Sequence, residues 1–309
     1  MVKLRDGQTY NLHLSEVSMA ASILQGVHIT NFSFINESNG GAIKFAYKGK
    51  SLCFSNAQVG AMVDVFGKEF YKFLDVENEN VIDIGANIGD STIYFAVNNA
   101  KKVIALEPYP STYNLVLENI KTNKLENKIT LLNAGYGQDG IINVQTDLQN
   151  TFGRNLKSSD EGSEIRVISL KTLLKEYDYE KPVLKMNCVG CEYNILNEDN
   201  KTLRQFKRIQ IHYNYGYEKI KNKLEEVGFT VKYTKPIKMY AKYATTPNMS
   251  MGEIYAKLHD DFWVLYRNDQ WKSCFLTWKV DIIHPTQAIF RPHHWFNLKE
   301  IAFTVVETG

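Results

Sequence analysis

VIDIGANIGD, residues 81–90, reads as an apolar strand running straight into a glycine-hinged turn. Val81, Ile82 and Ile84 supply the apolar run. Gly85 and Gly89 let the backbone turn tightly and approach a ligand without a Cβ in the way. Asp90 and Ser91 then open a helix whose apolar residues include Ile93 and Phe95. In an open α/β sheet, ligands gather beyond the carboxyl ends of the strands at such a turn.

The same alternation recurs downstream. Strands are expected at Val81–Gly85, Val103–Glu107, Ile129–Asn133, Val183–Cys188 and Ile209–Tyr213, each apolar enough for burial on both faces. Between them lie helical spacings: Tyr113, Val116, Leu117 and Ile120 after Pro110, then Leu170, Leu173, Leu174 and Tyr177, then Ile220, Leu224 and Val227 closed by Gly228. Phe229–Tyr233 and Glu253–Leu258 read as two further strands, and Gly137–Val167 as a hairpin with a polar surface excursion. Alternation of this kind predicts an α/β fold, a doubly wound and mostly parallel sheet with helices on both faces.

The flanks differ. Residues 1–79 read as short strands with turns such as SNGG, ending in the helical-looking VDVFGKEFYKFL. Residues 259–309 hold all four tryptophans, Trp263, Trp271, Trp278 and Trp295, and DFWVLYRNDQWKSCFLTW reads as a hairpin turning at RNDQ. The chain is therefore expected in three segments: an N-terminal flank over 1–79, a ligand-binding α/β domain over 80–258, and an aromatic-rich C-terminal extension over 259–309. Covering a sheet edge or self-association into a homo-oligomer is the preferred role for the extension; recognition of a glycan by its aromatic rings is the other.

With 309 residues and a net charge of +2, the chain gives no electrostatic reason to expect nucleic acid or an anionic membrane as a partner. No apolar run approaches the ~18 residues that span a bilayer. The N-terminus lacks the apolar core and cleavage site of a signal peptide, so a soluble, cytoplasmic protein is expected. Four cysteines, Cys53, Cys188, Cys191 and Cys274, are too few for a disulfide framework. Cys188 and Cys191 form a C-x-x-C with no second pair to complete a zinc site, so packing is the expected role and no metal site is expected.

Two cofactors are held at turns like 85–89. The dinucleotide fingerprint is G-x-G-x-x-G, with the helix N-terminus facing a pyrophosphate. Here the spacing is G-x-x-x-G and the middle glycine is absent. S-adenosylmethionine carries no phosphate but has an ammonium and a sulfonium, which suits Asp83. Asn87 offers a polar side chain in the same loop. Glu107, in VIALEP, falls where an acid would hold ribose hydroxyls of either cofactor. A purely structural glycine turn with Asp83 as a cap is the alternative.

VIDIGANIGDSTIYFA, KKVIALEPYPSTYNLVLENIKTN and VLKMNCVGCEYNIL, in that order, resemble the FkbM family of S-adenosylmethionine-dependent methyltransferases. The likeness runs from about Asp64 to Leu258. It implies a seven-stranded class I methyltransferase sheet with an antiparallel last strand, and methyl transfer to a hydroxyl oxygen of a sugar, glycan or small metabolite. By resemblance, Asp83, Gly85, Asn87 and Gly89 surround the methionine part of the cofactor and Glu107 binds its ribose. Asn133 and Ala134 lie near the adenine. Tyr71 closes the cofactor pocket or, equally, packs a sheet edge.

The chain also departs from the family. After the fourth strand the family reads D-x-E-G-x-E, whereas this chain reads NCVGCE, with Asn187 for the aspartate and Val189 for the first glutamate. The fifth strand commonly ends E-x-H; here it is Gln210-Ile211-His212. An amide is no base and a poor Mg²⁺ ligand, which disfavours a metal-dependent mechanism. His212 remains as the candidate general base, with a hydrogen-bonded core histidine as the other reading. Lys185 either orients an acceptor or pairs with an acid. A descendant that binds cofactor or glycan without transferring a methyl group is the rival to an active enzyme.

Overall fold

The computed structural model describes residues 2–3, 9–10, 28–37, 40–56, 59–144, 162–238, 249–258, 278–284 and 287–292. The chain divides into two compact units, Met1–Leu258 and His259–Gly309.

After a short antiparallel pair, Val2–Lys3 with Thr9–Tyr10, the first unit has an antiparallel meander, β1 Ile29–Glu37, β2 Gly40–Tyr47 and β3 Lys50–Ser55. A short helical turn at Val59–Met62 runs into a widened turn at Val63–Gly67, and a separate single turn follows at Lys72–Leu74. The continuous helix suggested by VDVFGKEFYKFL is therefore broken. Gly67 weakens the helix, and Glu69 takes a left-handed conformation (φ 50°) that ends it.

The α/β part comprises β4 Asn80–Ile84, α1 Asp90–Val97, β5 Lys102–Leu106, α2 Pro110–Thr122 and β6 Ile129–Leu132. Next come β7 Ala134–Tyr136, β8 Gly140–Val144, β9 Ser163–Ile168 and α3 Leu170–Tyr177. β10 Val183–Met186, β11 Arg208–Tyr213, α4 Glu218–Val227, β12 Phe229–Tyr233 and β13 Ser250–Leu258 complete it. Strands β8 and β9 pair antiparallel, forming the limbs of the expected 137–167 hairpin.

The main sheet runs β12-β13-β11-β10-β4-β5-β6, with Ile237–Lys238 added beside β13. β13 is antiparallel to both its neighbours, and the other pairings are parallel. The first strand, β4, sits at the centre. The chain leaves it toward β5 and β6 and returns to β10 on its other side, which opens a crevice at the carboxyl end of β4. This is the predicted α/β class.

Successive residues of a strand face opposite sides of the sheet. Accordingly Val81, Val103, Ile129 and Val183 join one core with the meander and α1, while Ile82, Ile84, Ile104, Leu106, Leu184, Met186, Ile209 and Ile211 join the other. The first face also carries a polar row in register, because Asp83 pairs with Lys185, Lys185 with Gln210, and Gln210 with Tyr255. All the expected strands form; the first four stop one or two residues early, and Ile209–Tyr213, Phe229–Tyr233 and Glu253–Leu258 end where expected. Gly85, Glu107, Asn133, Asn187 and Cys188 lie just past the strand ends, in the loops that shape the crevice.

Among the described residues no helix is long and apolar enough to cross a membrane. In the second unit, β14 Trp278–His284 pairs antiparallel with β15 Gln287–Pro292. Trp263, Trp271, Trp295 and the turn expected at RNDQ fall outside the described residues.

Candidate active site

The loop after β4 is held from both sides. The amides of Gly85 and Ala86 both donate to the Leu106 carbonyl at 3.0 Å, tying the turn to the end of β5. Gly85 (φ 83°), Asn87 (φ 50°) and Gly89 (φ 86°) all take positive φ. A Cβ on Gly85 would collide with the Asn187 carbonyl oxygen, so the β10 loop packs directly on this turn. A Cβ on Gly89 would come within 3.1 Å of the Val116 side chain, which α2 presses against the start of α1.

Glu107 lies across the mouth of this turn. Its Oε2 accepts the Asn87 amide at 3.0 Å and its Oε1 the Tyr109 amide at 3.2 Å. Burial pushes the carboxyl up to about 7, against the lowering effect of those two amides. Each oxygen retains a further lone pair, so the site suits a ligand offering two neighbouring hydroxyls, as a ribose does. Asn133 donates through Nδ2 to the carbonyls of Glu107 (2.9 Å) and Pro108 (3.0 Å), fixing this loop, and Ala134 follows it at the buried start of β7.

Asp83 is fully buried, and its carboxylate is engaged by the protein itself. Ser91 Oγ and Thr92 Oγ1 donate to Oδ2 at 2.8 and 2.7 Å, and Lys185 Nζ lies 2.8 Å from Oδ1. Lys185 Nζ also donates to the Gly85 carbonyl at 2.8 Å and sits 5.7 Å from the centre of the Tyr71 ring. The Tyr71 ring packs on Phe70 and Phe95, and its hydroxyl lies near the Asn187 side chain. Burial and the nearby acids raise the Tyr71 pKa well above the ordinary phenol value. Tyr71 is thus a buried packing residue beside Lys185. Asp90, at the head of α1, is pushed up to about 6 by burial, with the Lys185 charge opposing.

At the carboxyl end of β11, His212 stands opposite Glu253 of β13 in the antiparallel register, and its Nδ1 bonds with Glu253 Oε1. The His212 side chain is 21% exposed, the Glu253 side chain only 7%. Burial pulls the imidazole pKa down, but the Glu253 bond and charge outweigh it and the net direction is up. Burial raises Glu253, with His212 opposing. The sequence pattern singles out His212 and gives no prominence to Glu253. The available signal is the single acid in the strand MGEIYAKL, which an antiparallel register can bring beside the end of QIH.

Glu192 is the acid that NCVGCE keeps from the family pattern. It is fully buried; Oε1 accepts from the Asn214 amide at 3.0 Å and its Nδ2 at 2.9 Å, while Oε2 accepts from the Gly190 amide at 2.6 Å. It therefore ties the loop after β10 to the loop after β11. Within the β10 loop, Cys188 and Cys191 are joined in a disulfide. The expectation that they merely pack is corrected: Val189 (φ 45°) and Gly190 (φ 98°) turn the chain so tightly that the two Cα atoms come to 5.5 Å.

Among the described residues no cluster of His, Cys, Asp or Glu could hold a metal ion. The structure brings Tyr71, Asp83, Gly85, Asn187, Lys185, His212 and Glu253 to one crevice, with Glu107, Asn87 and Asn133 on its β5–β6 side.

A family model for the methyltransferase FkbM domain matches residues 83–256. The chain is 31% identical over 121 residues to the tRNA (guanine(37)-N(1))-methyltransferase Trm5b of Methanocaldococcus jannaschii, a match covering 37% of this chain and 34% of that protein. It is 46% identical over 61 residues to the tRNA(Phe) (4-demethylwyosine(37)-C(7)) aminocarboxypropyltransferase of the same organism, covering 19% and 24% respectively. The matches thus span only about a quarter to a third of these relatives' length. Among solved structures, M. jannaschii TYW2 in complex with AdoMet is similar at 18% identity and a TM-score of 0.38, covering 74% of this chain and 86% of that one. The near-neutral charge led to the expectation of no nucleic-acid partner, and the two relatives named for tRNA overturn it. Charge summed over a whole chain does not report what a local pocket admits.

Proposed function

The chain belongs to the methyltransferase FkbM domain family, a family that uses S-adenosylmethionine, and from that premise we propose that it methylates a hydroxyl oxygen of a sugar, glycan or small metabolite. The observation that carries the reading is the pairing of a ribose-compatible Glu107 beside the 85–89 turn with a carboxylate-bound His212 across the same crevice.

S-adenosylmethionine, when bound, supplies a methyl group activated by the positive sulfur that carries it. Glu107 would hold the ribose hydroxyls, and Gly85, Asn87 and Gly89 would let the backbone approach the methionine part. Asn133 and Ala134 would flank the adenine. Asp83 supports the turn through Lys185 rather than by direct contact, since its oxygens are already engaged. Asn187 would face the acceptor, whereas Lys185, buried on Asp83 and the Gly85 carbonyl, would support the turn. The His212 Nε2 would take the proton of the acceptor hydroxyl as the oxygen attacks, and positioning of oxygen against methyl supplies much of the acceleration.

A second reading, methylation of an RNA, is favoured by the likeness to the Trm5b relative. One experiment separates the two. The full chain is incubated with donor labelled in its methyl group and with sugars, glycolipids, hydroxylated metabolites and bulk tRNA, and the products are located by mass spectrometry. A labelled methyl ether on a hydroxylated small molecule or glycan supports the first reading. Label confined to tRNA replaces it with the second. Saturable donor binding with no labelled product in any pool would leave a cofactor-binding protein that transfers nothing.

A further inference from the structure

The reading of His212 as a base leaves open which ring nitrogen is free to act and what fixes it. Neutral imidazole has one donor and one acceptor nitrogen, and the bond made by one nitrogen decides the role of the other. Resting on the proposed function, we propose that Glu253 is the positioning residue of the reaction. It binds the Nδ1 proton of His212, leaving Nε2 as the acceptor that faces the substrate, and it is itself held by Gln210.

Three observations converge on Glu253. First, His212 and Glu253 are direct partners across the antiparallel β11–β13 pair, so the backbone register delivers the carboxylate to Nδ1. Secondly, Glu253 has little freedom. Its amide donates to Thr234 Oγ1 at 2.8 Å, and its carbonyl accepts the Thr234 amide at 2.9 Å. Thirdly, Gln210 Nε2 approaches Glu253 Oε2 at 3.4 Å while donating to the Phe70 carbonyl at 3.1 Å, which anchors the carboxylate to the segment that carries Tyr71.

The residue type at 210 matters. An amide donates to Glu253 and favours its charged form. A second carboxylate in the same place would compete for one proton and push Glu253 toward neutrality. The pair would still carry a negative charge, but the shared proton would leave no single fixed carboxylate oxygen for Nδ1. Every proton is then accounted for: the acceptor O–H loses its proton to Nε2, Nδ1–H stays with Glu253, and the imidazolium later releases the Nε2 proton to solvent.

Other groups also face the pair. Glu192 acts on His212 from the loop after β10 and Lys185 acts on both members from β10. Tyr71, Tyr213 and Tyr255 sense the Glu253 charge from beside Lys185 and from the two strands. These groups act through charge, whereas Glu253 bonds to the imidazole.

The test reads the His212 ring proton by NMR titration of the full chain, assigned by its loss in His212→Gln, alongside the pH profile of kcat/KM. In Glu253→Gln the His212 midpoint is expected to fall by about one pH unit or more, a tenfold change in proton affinity. The acid limb of kcat/KM should move the same way, and kcat should drop by roughly tenfold or more while donor affinity stays put. Glu253→Asp, which keeps the charge, should retain most of the wild-type midpoint. An unchanged midpoint in a folded Glu253→Gln protein, judged by donor affinity, overturns the proposal. A midpoint that falls while the wild type methylates nothing keeps the pairing and places the failure in the proposed function. If the acid limb stays fixed while the midpoint falls, His212 is not the base and the positioning role is overturned with it.

Discussion

Lys185 Nζ lies 2.8 Å from Asp83 Oδ1 in the middle of the sheet, with the two side chains 2% and 0% exposed. The ion pair bridges two neighbouring parallel strands, and the same ammonium holds the Gly85 carbonyl. Replacing either partner alone leaves a charge in the interior without its counterion. Lys185→Met should cost roughly 3–5 kcal/mol of unfolding free energy. The Asp83→Asn, Lys185→Met double variant should lose clearly less than the sum of the singles. Urea unfolding of the four proteins measures the coupling, and strict additivity would remove the pair as a structural unit.

Donor binding should depend on pH through Glu107. Its carboxyl is raised to about 7 by burial, and only the ionised form accepts hydrogen bonds from two ribose hydroxyls with both oxygens. Binding therefore releases a proton below that value. Affinity for S-adenosylmethionine should rise as the pH climbs from about 5.5 toward 7 and then level off, and Glu107→Ala should bind weakly at every pH. Calorimetry in buffers of different ionisation heat counts the released proton directly; no release at about pH 6 would contradict this.

Gly85→Ala is expected to fail at two levels. The position requires a positive φ, and the added methyl would strike the Asn187 carbonyl. Strain and displacement together should cost at least about 2 kcal/mol. Donor affinity should fall with stability, because the β10 loop must retreat. A variant with wild-type melting temperature and donor affinity would show that the turn is looser than its packing implies.

Cys188 and Cys191 should resist alkylation until a dithiol is added, after which each should take one label. Peptide mass spectrometry of labelled and unlabelled protein reads this at residue level. Full labelling of both without reductant would dispose of the bridge.

Much of this was legible because the α/β pattern is written in local terms. Val81, Ile82 and Ile84 followed by Gly85 name a buried strand and its turn, and Pro110 and Gly228 mark helix ends by their own backbone constraints. The missed residues depend on contacts between distant segments. Nothing local to Glu253 says that it will meet His212, since that pairing comes from an antiparallel register set by two strands far apart in sequence. Asp83 drew attention as an acid beside a cofactor turn, yet its side chain points at a lysine on the neighbouring strand. The break at Glu69 in VDVFGKEFYKFL arises similarly from tertiary contacts, since Tyr47 and Lys48 reach its carboxylate from the meander.

The reversed direction of β13 has a consequence for how the protein matures. Parallel strands present only their ends to the crevice, whereas a strand running the other way presents its beginning. The acid that completes the histidine pair therefore comes from the opening residues of the last strand laid into the sheet. During synthesis the cofactor turn emerges early and can assemble around β4, β5 and β6, but the pair cannot form until β13 has threaded between β11 and β12. On the proposed function, competence to handle a proton is thus acquired last, and a chain interrupted before Glu253 would carry most of the proposed cofactor cradle without the proposed base pair.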